Sequence, residues 1–181
     1  ESVITGQDLL LISPTGGGKS LVYQLAALRL DGVAVIVCPL LALMSQQVEK
    51  LKSMGVRAEF LNSTLNPGEQ DDLAYALRDK SIDLLFLSPE KLLQPSVLGV
   101  LDHSKVAFFA IDEAHCIAQW GEGFRPEYGS LGIIRRQFPL VPIVAMSGTA
   151  DIDTQKEILS SLSLNKPKVL QQSYNRANIE I

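Results

Sequence analysis

The chain has 181 residues, 46% of them apolar and 20% charged, with a formal net charge of −4. That length fits one ordinary domain with room for a full core, and the composition excludes long disorder. A net negative chain does not grip nucleic acid through a broad basic face, no apolar run is long enough to span a bilayer, and no basic-then-apolar signal opens the sequence, so an intracellular protein with no membrane partner is expected.

Apolar runs at LLLIS (9 to 13), VAVIVCP (33 to 39), DLLFLSP (83 to 89), VAFFAIDE (106 to 113) and PIVAMSG (142 to 148) read as strands, with RAEFLN (57 to 62) as a further strand and KVLQQ (168 to 172) as a last one near the edge. The main runs are apolar throughout, as strands covered on both faces require. Helical periods fall between them at 19 to 30, 40 to 54, 68 to 78, 127 to 137 and 154 to 162. Strand alternating with helix predicts an α/β domain over residues 1 to 172, with a mostly parallel sheet, right-handed crossovers and helices on both faces. The polar tail SYNRANIEI (173 to 181) lacks a helical period and reads as a linker. Cys38 and Cys116 have neither zinc-site nor disulfide spacing and read as packing residues, while the pair Arg135 and Arg136 reads as a solvated helix face.

Functional residues in such sheets collect at the carboxyl ends of strands, and those ends carry SPTGGGKS, CPLLAL, LSPEKL, DEAH and SGTA. The first of these, residues 13 to 20, sits between a buried strand and a helix start, where a phosphate-binding loop belongs. Pro14, Thr15, Gly16, Gly17 and Gly18 let the backbone turn tightly enough to aim successive N–H groups at one anion. Lys19 adds a mobile positive charge for the β and γ phosphates, and Ser20 a hydroxyl for Mg²⁺. Nucleoside triphosphate and Mg²⁺ are the ligands this pattern predicts. The usual pattern opens with glycine, where this chain has Ser13. The competing reading is a glycine turn followed by a chance Lys-Ser pair.

Strand VAFFAI delivers Asp112 and Glu113 to the same rim, followed by Ala114 and His115. An acidic pair there suits an NTPase, with Asp112 holding the metal and Glu113 orienting or deprotonating the attacking water. Alone, the pair equally well caps the next helix; with the phosphate loop on the same rim, the catalytic reading prevails. His115 either touches the γ phosphate and relays its presence or is a packed histidine, and spacing does not separate the two. Downstream, Gln119, Trp120, Phe124 and Arg125 interleave aromatic and polar side chains on a segment that Gly121, Gly123 and Pro126 keep from forming one helix. Such a loop stacks on unpaired bases or staples itself to the sheet, and both readings stand on spacing alone.

Taken in order, SPTGGGKSLVYQLAAL, CPLLALMSQQV, FLNST, LLFLSPEKL, IDEAHCIAQWGEGFRPEY and MSGTA resemble the first RecA-like domain of RecQ-family DNA helicases of superfamily 2. The likeness covers nearly the whole chain, and DEAHCIAQW followed by FRPEY is its most specific part. It implies that Lys19 and Ser20 bind ATP phosphates and Mg²⁺, that Asp112 and Glu113 support hydrolysis, and that His115 couples the γ phosphate to DNA. It implies too that Gln119, Trp120, Phe124 and Arg125 sense single-stranded DNA. Pro39, Leu40, Asn62, Ser88, Ser147 and Thr149 fall where this superfamily lines the DNA path or links it to ATP.

The sequence departs from that family at several places. Gly148 stands where alanine is common, and Ala42 and Gln46 where serine and aspartate are frequent. The chain opens after the place of the family's adenine-reading glutamine motif, and its tail resembles the linker into a second RecA-like domain. That domain, absent here, would supply an arginine finger, so the expected parent is a 3′-to-5′ DNA-unwinding ATPase of repair and recombination, in the cytoplasm or nucleoid of a bacterium or the nucleus of a eukaryote. Its partners would be single-stranded or duplex-junction DNA and the second domain, and this fragment alone would be nearly inactive. A non-catalytic nucleotide-dependent binding module and an RNA-remodelling ATPase are the alternatives.

Overall fold

In the computed structural model seven strands lie side by side in the order β3-β4-β2-β5-β6-β1-β7, every neighbouring pair parallel. They are β1 (Leu9–Ile12), β2 (Val33–Val37), β3 (Ala58–Leu61), β4 (Leu84–Leu87), β5 (Val106–Ile111), β6 (Ile143–Ser147) and β7 (Lys168–Gln171). The structure describes residues 1–14, 16–61, 66–120 (backbone only at 120) and 126–172. The continuous apolar runs have the consequence expected of them. Alternate side chains of each central strand enter two separate cores: Leu10, Ile12, Val35, Val37, Phe109 and Ile111 on one face, and Leu9, Leu11, Ala34, Ile36, Phe108 and Ala110 on the other. The weaker runs β3 and β7 take the two edges, and all four residues of β7 are exposed.

Helices α1 (Lys19–Ala27) and α2 (Leu41–Ser53) cover the second face through Tyr23, Ala26, Met44, Val48 and Leu51. The first face is covered by α3 (Pro67–Arg78), α5 (Pro95–Asp102), α6 (Cys116–Trp120), α8 (Ile133–Gln137) and α9 (Ile152–Ser161), with the one-turn helices α4 (Pro89–Leu92) and α7 (Pro126–Gly129) between them. Helix α3 starts on a capping box: the Asn66 side chain accepts from the Glu69 amide at 3.0 Å, the Glu69 carboxylate accepts from the Asn66 amide at 2.8 Å, and Pro67 opens the first turn.

Two helix expectations need correction. The segment 127 to 137 is not one helix; it breaks into α7, a 3₁₀ turn (Ser130–Gly132) and α8. Tyr128, Leu131 and Ile134 are all buried, and a spacing of three matches the 3₁₀ period better than the α period. Gly132 also lies so close to α9 that an added Cβ would sit 2.6 Å from the Ser161 carbonyl. Sequence reading left 90 to 105 unassigned, yet α5 forms there. Its Val97, Gly99 and Val100 are poor helix formers, and burial of Val97, Leu98 and Leu101 outweighs them. The predicted strands also run one or two residues too far at their carboxyl ends, where the chain turns into loops.

Asp8, only 4% exposed, ties the amino-terminal ends of three strands together. Its carboxylate accepts from Arg135 at 2.6 Å, from the Ile143 amide at 2.8 Å and from the Asn165 amide at 2.6 Å, while its carbonyl accepts from the Lys168 amide at 2.9 Å. Removing the carboxylate leaves the Arg135 guanidinium with only the Pro139 and Val141 carbonyls and no anionic partner, and the buried Ile143 amide without its acceptor. Asp8→Ala is expected to cost roughly 3–5 kcal/mol, read as a lowered urea midpoint with unchanged slope. A loss under 1 kcal/mol would show that the sheet does not lean on this contact.

Candidate nucleotide-binding and catalytic site

Because every strand points the same way, the segments after β1, β2, β4, β5 and β6 all emerge on one rim. The phosphate-loop candidate follows β1 there. Gly16 and Gly18 have φ of +82° and +78°, the left-handed region that costs glycine nothing, and Gly18 is the residue at which α1 begins. Gly17 packs so closely that a Cβ would lie 2.2 Å from Ser13 Oγ and 2.9 Å from the Pro14 carbonyl. No side chain caps α1 and no acidic residue stands in its first turn, so the helix start presents positive potential to an anion. Lys19 folds back over the loop, its Nζ donating to the Ser13 carbonyl at 2.9 Å and to the Pro14 carbonyl at 3.4 Å.

The acidic candidate follows β5, two strands away, with β6 between, so the two loops leave the sheet roughly 10 Å apart. Main-chain bonds lock it in place, the Asp112 amide donating to the Val37 carbonyl and the Ala114 amide to the Met146 carbonyl, both at 2.8 Å. Burial pushes the Asp112 carboxyl up to about 6, helped by the neighbouring Glu113 charge and opposed by the Glu113 amide and the Lys19 ammonium. Lys19 is thus within electrostatic reach of Asp112. Glu113 has φ of +50°, a strained region for any residue with a side chain, at a cost of roughly 1–2 kcal/mol.

His115 belongs to a short polar chain. Its Nδ1 lies 3.0 Å from Ser147 Oγ and 3.3 Å from the Glu113 carboxylate. Ser147 Oγ donates to the Thr149 carbonyl at 2.6 Å and accepts from the Thr149 amide at 3.2 Å. With the serine proton committed to Thr149, Nδ1 carries the histidine hydrogen and donates it to Ser147 or Glu113. The chain Glu113–His115–Ser147–Thr149 therefore joins the loops after β5 and β6. Sequence reading named each member without seeing that they form one network.

The remaining candidates spread along the rim. Pro39 is buried and Leu40 exposed after β2, Ser88 caps α4 after β4, and Gln119 is exposed on α6. Trp120 ends α6, but its side chain, together with Thr15, Asn62, Phe124 and Arg125, lies outside the described residues, as does the proposed linker from 173 onward. Cys38 and Cys116 are buried and form no disulfide, and burial raises Cys38 to about 11, in keeping with a packing role. Two participants escaped sequence reading. Tyr23 donates to Gln47 at 2.6 Å, and burial, with the nearby Asp112 charge, raises its phenol well above the usual range. Gln172, after β7, accepts from Ser13 Oγ at 2.6 Å. Neither carries a motif, since only the folded chain brings them to the loop.

Among the described residues no group of three or more His, Cys, Asp or Glu forms a metal cage. An open helix start, a lysine, the hydroxyl of Ser20 and one buried carboxyl instead fit an Mg²⁺–polyphosphate, because Mg²⁺ keeps waters and takes one or two protein oxygens.

Residues 1–158 match the DEAD/DEAH box helicases, and the chain belongs to that family. It is 44% identical over 179 residues to the ATP-dependent DNA helicase RecQ of Pasteurella multocida, covering 99% of this chain and 28% of that protein. It is also 44% identical over 183 residues to the probable ATP-dependent DNA helicase RecS of Bacillus subtilis, covering 100% of this chain and 36% of that protein. The chain therefore spans about a third of the length of these curated relatives. In fold it is similar to the crystal structure of the Pyrococcus furiosus Hef helicase domain, with a TM-score of 0.69 at 16% identity over 97% of this chain and 37% of that one. The RecQ resemblance read from the motifs and the α/β RecA-like fold are both borne out.

The raised Asp112 carboxyl has a stability consequence in the ligand-free protein. A folded-state value above the ordinary 3.8 favours folding below that pH, and the benefit is lost as pH rises through about 6. At pH 7 the site bears a buried charge costing about 3 kcal/mol at most. Asp112→Asn is expected to raise the melting temperature at pH 7 by several degrees, the gap closing between pH 6 and pH 4. A gap that does not depend on pH would show that the charge is not what costs stability.

Proposed function

We propose that this chain is the ATP-binding half of an ATP-dependent DNA helicase motor that moves 3′ to 5′ along single-stranded DNA and unwinds duplexes in repair and recombination. The observation that carries the reading is that the glycine loop with Lys19 after β1 and the Asp112–Glu113 pair after β5 leave the parallel sheet on one rim with only β6 between them, and the RecQ-like sequence supports DNA as the track.

The glycine loop and the start of α1 bind the triphosphate. Lys19 exchanges the Ser13 and Pro14 carbonyls for β- and γ-phosphate oxygens and neutralises charge as it builds there. Ser20 and Asp112 would hold Mg²⁺, which would supply further charge neutralisation at the phosphates. Glu113 accepts the proton of the attacking water, and its strained backbone aims the carboxylate off the line of β5. His115 then reports the state of that carboxylate to Ser147 and Thr149 through the hydrogen bonds above. Leu40, Asn62, Ser88 and the loop holding Gln119, Trp120, Phe124 and Arg125 line the DNA path, and the buried Pro39 supports the loop after β2 that links this path to the ATP site. A second RecA-like domain of the longer protein closes the cleft and adds an arginine, without which hydrolysis is slow.

In the full-length protein, Glu113→Gln is expected to keep ATP affinity within about threefold while lowering kcat at least 100-fold. A matching loss of binding would remove Glu113 from the proton-transfer role. ATP hydrolysis should be stimulated by single-stranded DNA and much less by RNA. Stimulation by RNA alone would overturn the DNA reading, and none by either, with Lys19→Ala silent, would leave a nucleotide-dependent binding module. Trp120→Ala should leave ATP affinity nearly intact and weaken only DNA-stimulated turnover. Equal loss of basal and stimulated rates would make the ring structural.

A further inference from the structure

Ser13 stands where the phosphate-loop pattern usually has glycine. It is fully buried, and its Oγ lies against the bend of the loop, where a Cβ on Gly17 would come within 2.2 Å of it. A hydroxyl in that place is not inert. Serine oxygens are preferred acceptors for unpaired amides at helix starts, and α1 has no side-chain cap of its own. A Ser13 hydroxyl free to choose its rotamer competes with phosphate for the amides of the cradle.

The hydroxyl is instead turned toward the last strand. It donates to Gln172 Oε1 at 2.6 Å. Gln172 is itself anchored, its amide donating to the Ile12 carbonyl at 2.9 Å, one residue before Ser13, in continuation of the β1–β7 ladder. Its Oε1 also lies 3.1 Å from the position of a Cβ on Gly17, so it flanks the loop from the β7 side. Two further bonds fix the Ser13 backbone: its amide donates to the Ser147 carbonyl at 3.1 Å, and its carbonyl accepts from Lys19. What remains free is the side-chain rotamer and the direction of the hydroxyl hydrogen, and the bond to Gln172 fixes both.

We infer that Gln172 is a positioning residue for ATP binding: it holds the Ser13 hydroxyl out of the phosphate cradle and so keeps the loop amides available to the triphosphate. This rests on the ATP-binding reading above. It makes nucleotide affinity depend on the seating of β7, an exposed edge strand paired only with β1 among the described residues.

The test is titration of the full-length protein with a fluorescent N-methylanthraniloyl ATP, alongside melting temperature. Gln172→Met keeps the length of the side chain and removes the acceptor. It is expected to weaken binding roughly five- to tenfold with little change in melting temperature. Adding Ser13→Ala to that variant deletes the competing hydroxyl and should recover most of the lost affinity, a reversal that simple loosening of the loop would not produce. Gln172→Met binding as tightly as the unaltered protein, or a double variant weaker than the single one, would overturn the inference while leaving the ATP reading intact. Unaltered protein that binds no better than Lys19→Ala would sink both.

Discussion

The structure depends on a sheet buried on both faces. With two apolar cores to fill, each central strand must be apolar at every position, and helices must lie above and below the sheet, which makes each return to the sheet a crossover. Crossovers make neighbouring strands parallel, and parallel strands deliver every carboxyl-terminal loop to one rim. The approach of Lys19, Asp112, Glu113, His115 and Ser147 follows from burial of residues such as Phe109, Ile111, Ala145 and Met146, which take no part in chemistry.

The two ends of the sheet treat buried charge differently. At the amino-terminal end Asp8 is buried with three donors facing its carboxylate, an arrangement that fixes the ends of β1, β6 and the approach to β7. At the carboxyl-terminal rim Asp112 is half-buried with one backbone donor and Lys19 as a more distant cation, beside a second carboxyl. A protein built only for stability would not keep that arrangement. Together with the left-handed backbone at Glu113, it marks the place where folding energy is held back for a ligand.

The polar chain from Glu113 through His115 to Ser147 and Thr149 gives a short route by which a change at the acidic motif reaches the loop after β6. Main-chain bonds to neighbouring strands hold Asp112 and Ala114 on either side of Glu113, and the Ser147 carbonyl accepts from the Ser13 amide, so a rearrangement of the histidine is carried by side chains. Gln172 and Ser13 make a comparable link on the opposite side of the phosphate loop, from the last strand to the first.

The strands, the two motif-bearing turns and the edge placement of β7 were legible because they rest on local pattern: apolar runs, glycine spacing and an acidic pair behind a strand, whereas the edge position of β3 was not. The helix α5 was not legible, since Val97 and Val100 resist helix formation and only burial of Val97, Leu98 and Leu101 against the sheet overrides that preference. The break within 127 to 137 was hidden for the same kind of reason, because it reflects the fit of Gly132 against the Ser161 carbonyl, 29 residues further along the chain. Which residues are chemically equipped, Lys19, Ser20, Asp112, Glu113 and His115 among them, is written in the order of amino acids, because reactivity resides in side-chain type and short spacing. The tertiary structure alone decided how they meet, because the raised Asp112 carboxyl, the His115–Ser147 bond and the hold of Gln172 on Ser13 arise from burial and from contacts between residues up to 159 positions apart.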